Sequence, residues 1–103
     1  MVFVETPLFA KARARLMNGD GETYRALQAA LLDDPTAGDV IPKGASLRKL
    51  RWGVPGRGKR GALRVIYRFR PERKQFLMVF VYDKAETGDL TPGQLSKLAA
   101  LDL

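Results

Sequence analysis

From Ala62 to Arg70 the chain reads ALRVIYRFR, a run whose side chains alternate between two kinds. Leu63, Val65, Tyr67 and Phe69 fall on one side of an extended chain, and Arg64, Ile66, Arg68 and Arg70 on the other. A period of two sustained over that length specifies a strand with one face turned to a core, because a helix would scatter those apolar residues around its circumference. The earlier run Leu47 to Val54 repeats the pattern, with Leu50, Trp52 and Val54 on one side and Lys49 and Arg51 on the other. Between the two lies PGRGKRG (residues 55–61), whose glycines accept positive φ, so the pair is expected to form a β-hairpin. Residues 71–74 read as a second turn. Phe76 to Tyr82 is apolar on both faces, the pattern of a central strand covered on both sides.

The ends of the chain carry helix signals. After a short strand over Val2 to Glu5, Thr6 stands as N-cap with Pro7 at the first helical position. Leu8, Ala12 and Leu16 then form one apolar stripe, and Gly19 is expected to end that helix. Asp20 can cap a second helix, in which Tyr24, Leu27 and Leu31 share a face, and Asp33-Asp34-Pro35 stops it. Residues 35–46 read as loop. Near the C-terminus Thr91, Pro92 and Gln94 make a capping box, with Leu90 and Leu95 placed as a hydrophobic staple. The expected fold is α+β, in the order β-α-α-β-β-β-α. One small antiparallel sheet carries the two N-terminal helices on one face, and a short C-terminal helix follows. The other face is expected to be partly covered and to show its arginines. At 103 residues this is a single domain spanning 1–103.

The charge is concentrated in the same sheet. Residues 43–74 hold twelve Lys or Arg against one acid, Glu72, whereas the other 71 residues hold six basic and ten acidic side chains. Interspersed acids would relieve the self-repulsion of such a surface, and they are missing, which points to an anionic partner. The chain has neither histidine nor cysteine. Imidazole bases, thiolate nucleophiles and Cys/His zinc sites are thereby excluded, and the scattered carboxylates suggest no magnesium site, so no metal or cofactor is expected. No apolar run is long enough to span a bilayer, and residues 1–5 lack the features of a signal peptide, so no membrane partner and a cytoplasmic location are expected. Two phosphate-binding motifs fit only formally. Gly56, Gly58 and Gly61 match G-x-G-x-x-G, and Gly53 to Lys59 matches G-x-x-x-x-G-K. Both motifs need a helix to follow, and here a strand follows, with Arg60 where the second requires Ser or Thr.

Taken in order, Leu47-Arg-Lys-Leu-Arg51, Gly58-Lys-Arg-Gly61, Arg64-Val-Ile-Tyr67, and Tyr82-Asp-Lys84 followed by Asp89-Leu-Thr91 resemble the RelE/ParE superfamily of toxins. Within it, the HigB-like branch of type II toxin–antitoxin systems is the nearest. The resemblance covers almost the whole chain. It implies a ribosome-dependent mRNA interferase, an endoribonuclease that cuts mRNA in the ribosomal A site and so inhibits translation. It implies a helix-turn-helix antitoxin of the HigA-like kind as partner, beside the ribosome and mRNA. By the same resemblance the phosphate-stabilising arginine falls on Arg64 and a basic residue after the last strand on Lys84. The basic residues of the hairpin fall on Lys49, Arg51, Lys59 and Arg60. A tyrosine that some RelE members carry near the C-terminus has no match in residues 86–90.

Residue chemistry permits such a reaction. In metal-free RNA cleavage the ribose 2′-hydroxyl attacks the adjacent phosphorus and the 5′-oxygen leaves. A base must take one proton and cations must hold the charge gathering on phosphorus. A lysine crowded by other cations can serve as base near neutrality, and Lys59 or Lys49 sits in such company. Arg64 suits the phosphoryl oxygens because a planar guanidinium grips two at once, and Lys84 can steady the same charge. The expected catalytic set is thus Arg64, Lys84 and Lys59. RNA binding is expected from Lys49, Arg51, Arg57, Arg60, Arg68 and Tyr82. The alternatives are a ParE-like poison of DNA gyrase and an RNA-binding module without catalysis.

Overall fold

The structure is a computed structural model, and it describes residues 1–17, 21–53 and 62–102. The element order is β1 (Val2–Glu5), α1 (Pro7–Leu16), α2 (Gly21–Asp33), β2 (Asp39–Val40), β3 (Arg48–Trp52), β4 (Leu63–Arg70), a 3-10 turn (Pro71–Arg73), β5 (Gln75–Asp83), α3 (Lys84–Thr87) and α4 (Pro92–Ala99). The strands make one sheet in the order β1-β5-β4-β3-β2. The α+β class, the two N-terminal helices and the short C-terminal helix are as the sequence implies.

β3, β4 and β5 form the antiparallel meander. Lys74, in the left-handed region at φ 50°, closes the turn between β4 and β5. β1 joins β5 in parallel, from Val2 opposite Gln75 to Glu5 opposite Met78, so the sheet is mixed rather than purely antiparallel. Residues 35–46, expected to be loop, contain β2, a two-residue strand pairing Asp39 with Lys49 and Val40 with Arg48. What holds this segment is tertiary. The buried Tyr67 hydroxyl donates to the Pro35 carbonyl at 2.9 Å and accepts from the Gly38 amide at 3.0 Å. Gly38 must lack a side chain, since a Cβ there would stand 2.8 Å from Tyr67 Cε1.

The Thr6 cap is present and does two jobs. Its Oγ1 accepts from the Phe9 amide at 3.0 Å and donates to the Val79 carbonyl at 2.7 Å, tying α1 to β5. The buried side of α1 is Phe9, Ala12 and Leu16. Leu8, expected in the stripe, is 47% exposed. Tyr24, Leu27 and Leu31 of α2 face the core as the spacing requires. The expected helix end at Gly19, the Asp20 cap and the hairpin tip at 55–61 lie outside the described residues.

The sheet separates two cores. Under α1 and α2 lie Leu63, Val65 and Tyr67 of β4 with Phe76, Met78 and Val81 of β5, and Leu50, Trp52 and Phe69 pack against them. On the opposite face Ile66, Leu77 and Val79 pack with Leu98, backed by Leu95, Ala99 and Leu101. α4 therefore supplies much of the cover on this face, which was expected to be partial. Its capping box is formed, with the Gln94 amide donating to Thr91 Oγ1 at 3.1 Å and the Thr91 amide to Gln94 Oε1 at 2.9 Å. No described helix is long and apolar enough to cross a membrane.

Candidate functional site

The basic side chains of the second face part into two groups at opposite ends of α4. At its C-terminal end Arg68 is committed to holding the helix down. Its Nη1 donates to the Leu101 carbonyl and Nη2 to the Ala99 carbonyl, both at 3.2 Å, while Nε reaches the Ala45 carbonyl and Ser46 Oγ at 3.2 Å. A guanidinium at a helix C-terminus meets carbonyls that have no intrahelical donor. Arg70, 7% exposed, bonds Gln75 Oε1 at 3.1 Å and the Asp102 carboxylate. Burial and the neighbouring charge of Arg70 pull the pKa of Arg68 below its ordinary value, and Asp102 opposes them. Arg68, expected to bind RNA, serves as a structural anchor, with all three guanidinium nitrogens bonded to oxygens of the 45–46 turn and the end of α4.

The other group lies past the N-terminal flank of α4. Here the register sets Arg51 of β3 directly beside Arg64 of β4, and Arg64 beside Tyr82 of β5. Directly paired side chains on one face stand about 5 Å apart at Cβ, and like charges so placed repel. Lys49 lies on the same face, two residues from Arg51 along β3 and opposite Ile66. Lys49 and Arg51 are exposed and Arg64 is half-buried. Arg64 Nη1 makes a 3.1 Å bond to the Ala62 carbonyl, which steers the guanidinium along the strand.

A β-bulge builds this row. Ile66 pairs with Phe80 and Tyr67 with Met78, so Val79 is the extra residue on β5. Phe76 and Met78 face the two N-terminal helices, whereas Val79 and Phe80 both turn to the second core. Tyr82 consequently falls on the face of Arg64. Without the extra residue strict alternation would carry it to the side of Met78.

Tyr82 is 2% exposed, with its ring 6.0 Å from that of Phe80 at 21°. The expectation that it meets RNA directly is corrected accordingly: a ring enclosed by packing offers no face on which a base can stack. Burial raises its phenol pKa above the ordinary value, the Asp89 carboxylate raises it further, and the Arg64 guanidinium lowers it. Asp89 in turn holds Lys84, Oδ1 to Nζ, at 3.4 Å. Lys84 follows Asp83 at the first position of α3, where the Asp83 side chain caps the turn by accepting from the Ala85 amide at 2.9 Å. By the register Arg64 sits opposite Tyr82, and Lys84 follows two residues later, where β5 gives way to α3.

Lys59, Arg57 and Arg60 lie outside the described residues. Residue types alone did not single out Asp83 or Asp89, two of the scattered carboxylates. For Asp83 a signal existed: Asp83 followed by Glu86 has the spacing of a helix N-terminus. For Asp89 there was none, since its pairing with Lys84 depends on how α3 turns. No group of three or more metal-binding side chains occurs among the described residues. No protein-family model matches the chain.

Proposed function

We propose that this chain is the toxin of a type II toxin–antitoxin module of the RelE/HigB kind, a ribosome-dependent endoribonuclease that cuts mRNA in the A site. One observation carries the reading. Arg51 and Arg64 are paired on adjacent strands, Lys49 lies two residues along β3 on the same face, and Lys84 follows the end of the strand that pairs with Arg64. Cations set in a row along adjacent strands match the regular spacing of charge along a phosphate backbone and bind it with release of counterions.

The chemistry runs on cations. Arg64, rooted in the middle of the sheet and steered by the Ala62 carbonyl, grips two non-bridging oxygens as negative charge grows on phosphorus. Lys84, held by Asp89, supplies a positioned ammonium to the same oxygens or to the departing 5′-oxygen. A lysine of the basic segment, in its neutral amine form, accepts the 2′-hydroxyl proton and becomes the ammonium. Lys49 is the described candidate, roughly 7 Å along the strand from the Arg51 position, and Lys59 is the other. The bond between phosphorus and the 5′-oxygen breaks as the one to the 2′-oxygen forms. Without imidazole the isolated protein positions poorly, and the ribosome supplies the orientation of the mRNA. The cognate antitoxin, a helix-turn-helix protein of the HigA-like kind, neutralises the cationic face.

Primer extension on an mRNA in a translating extract tests this. Cuts inside A-site codons are expected, and their absence in extract lacking ribosomes. Intact mRNA accompanied by DNA breaks would replace this reading with a gyrase poison. RNA binding without cuts or growth arrest would leave only a binding module.

A further inference from the structure

The basic segment contains a single acid, Glu72, yet among the described residues a carboxylate from outside it reaches the cationic row at each end. The first is Asp39 of β2. Its register partner is Lys49 of β3, so the two share the second face, about 5 Å apart at Cβ. The second is Asp89, whose Oδ1 stands 3.4 Å from Lys84 Nζ. By the register, Lys49 lies two residues before Arg51 on β3, and Lys84 two residues beyond Tyr82 of β5. The cations therefore run diagonally across the sheet, with an arginine pair in the middle and a lysine beside an acid at either end.

Both acids are placed by the fold. Asp39 is in register because Tyr67 holds the chain at Pro35 and at Gly38, the residue before it. Asp89 returns to Lys84 because the turn between them is closed. The Gly88 amide donates to the Lys84 carbonyl at 2.8 Å, and Gly88, at φ 71°, lies in the region that favours glycine. Asp39, Lys49, Lys84 and Asp89 are all exposed, so the acids serve no core. Exposed ion pairs also contribute little to stability. Their effect falls on an incoming anion. An ammonium has three donors, so each lysine can reach a phosphate while its carboxylate stays. The carboxylate then stands close to the phosphate and repels it.

We propose that Asp39 and Asp89 are specificity-determining residues, which shorten the phosphate track to its arginine centre. They thereby disfavour free RNA against a strand whose orientation is already fixed. The inference rests on the reading of the row as a seat for RNA. Fluorescence anisotropy with a labelled oligouridylate about 12 nucleotides long tests it, since that probe offers a backbone without base-paired structure. Asp39→Asn and Asp89→Asn should each tighten binding about threefold at low salt, and together about tenfold. Each should also steepen the fall of log affinity with log salt by about 0.7, the mark of one further phosphate engaged. Asp33→Asn, at an exposed acid ending α2 on the other side of the sheet, makes the same change in net charge and should move neither quantity. The gain from Asp89→Asn should vanish in Lys84→Ala, and that from Asp39→Asn in Lys49→Ala, because no phosphate is then drawn to the acid. Thermal melts confirm that each variant is folded. Gains absent from both Asn variants, equalled by Asp33→Asn, or persisting without the partner lysine would overturn the inference while leaving the row a seat for RNA. If Lys49→Ala, Arg64→Ala and Lys84→Ala all bind as the parent does, the reading of the row fails and the inference with it.

Discussion

Arg64 and Arg68 lie on one strand, on one face, four residues apart, and their replacement by alanine should have opposite consequences. Arg68→Ala removes four contacts with neighbouring oxygens. Two are exposed and contribute little. The two to Ala99 and Leu101 are part-buried, and at about 1 kcal/mol each their loss costs about 2 kcal/mol. In a domain of this size that lowers the midpoint of thermal unfolding by about 8–16 °C. Arg64→Ala removes one part-buried bond, to the Ala62 carbonyl, so its stability should stay within about 1 kcal/mol of the parent. On the proposed function, activity reverses the order. Losing a guanidinium from the phosphoryl oxygens should slow mRNA cleavage by about 10²- to 10³-fold, by analogy with removal of one oxyanion donor. Arg68→Ala should cleave at close to the parent rate at temperatures where it remains folded. Urea titrations followed by the single tryptophan, Trp52, measure the first quantity, and primer extension in a translating extract the second. If Arg64→Ala cleaves as the parent does, or if Arg68→Ala loses cleavage while fully folded, the division of this face into site and anchor is wrong.

Three further outcomes follow from the packing. Tyr67→Phe should destabilise by about 1–3 kcal/mol, because the Gly38 amide and Pro35 carbonyl lose their buried partner; an unchanged urea midpoint would contradict the bond geometry. Thr91→Ala should cost about 1 kcal/mol and raise amide exchange in the first turn of α4. In alkali, Tyr24, Tyr67 and Tyr82 all have phenol pKa values raised first of all by burial, so the fold favours the neutral form. The unfolded chain then releases phenolic protons from about pH 10, where the native chain still binds them. Stability conferred by these groups is therefore present below about pH 10 and lost as pH rises above it. Phenolate absorbance should lag behind that of free tyrosine in the native protein, and Tyr82→Phe should flatten the pH dependence of the urea midpoint. Ordinary titration of all three phenols in the folded chain would refute this.

Much of the architecture was legible because it is written in local patterns. The alternation through Leu63 to Arg70 assigned each β4 side chain to its face, and the Thr6-Pro7 and Thr91-Pro92 pairs located two helix starts from capping chemistry alone. Leu8 misled because an apolar residue at the right helical spacing satisfies the pattern whether or not anything packs on it. β2 was invisible: two residues in a turn-rich stretch have no periodicity, and they are held by Tyr67 and by pairing with β3.

By itself the sequence determined the strands, the caps and the concentration of positive charge on one sheet, since each depends on residues within a few positions of one another. Only tertiary structure decided which cations stand in a row on the sheet and which serve the fold. Arg68 became an anchor because α4 ends above it, and Tyr82 came to stand beside Arg64 because one extra residue, Val79, reverses the alternation of β5. Both outcomes rest on long-range register and on how a helix settles over the sheet, which no count of spacings within a single strand contains.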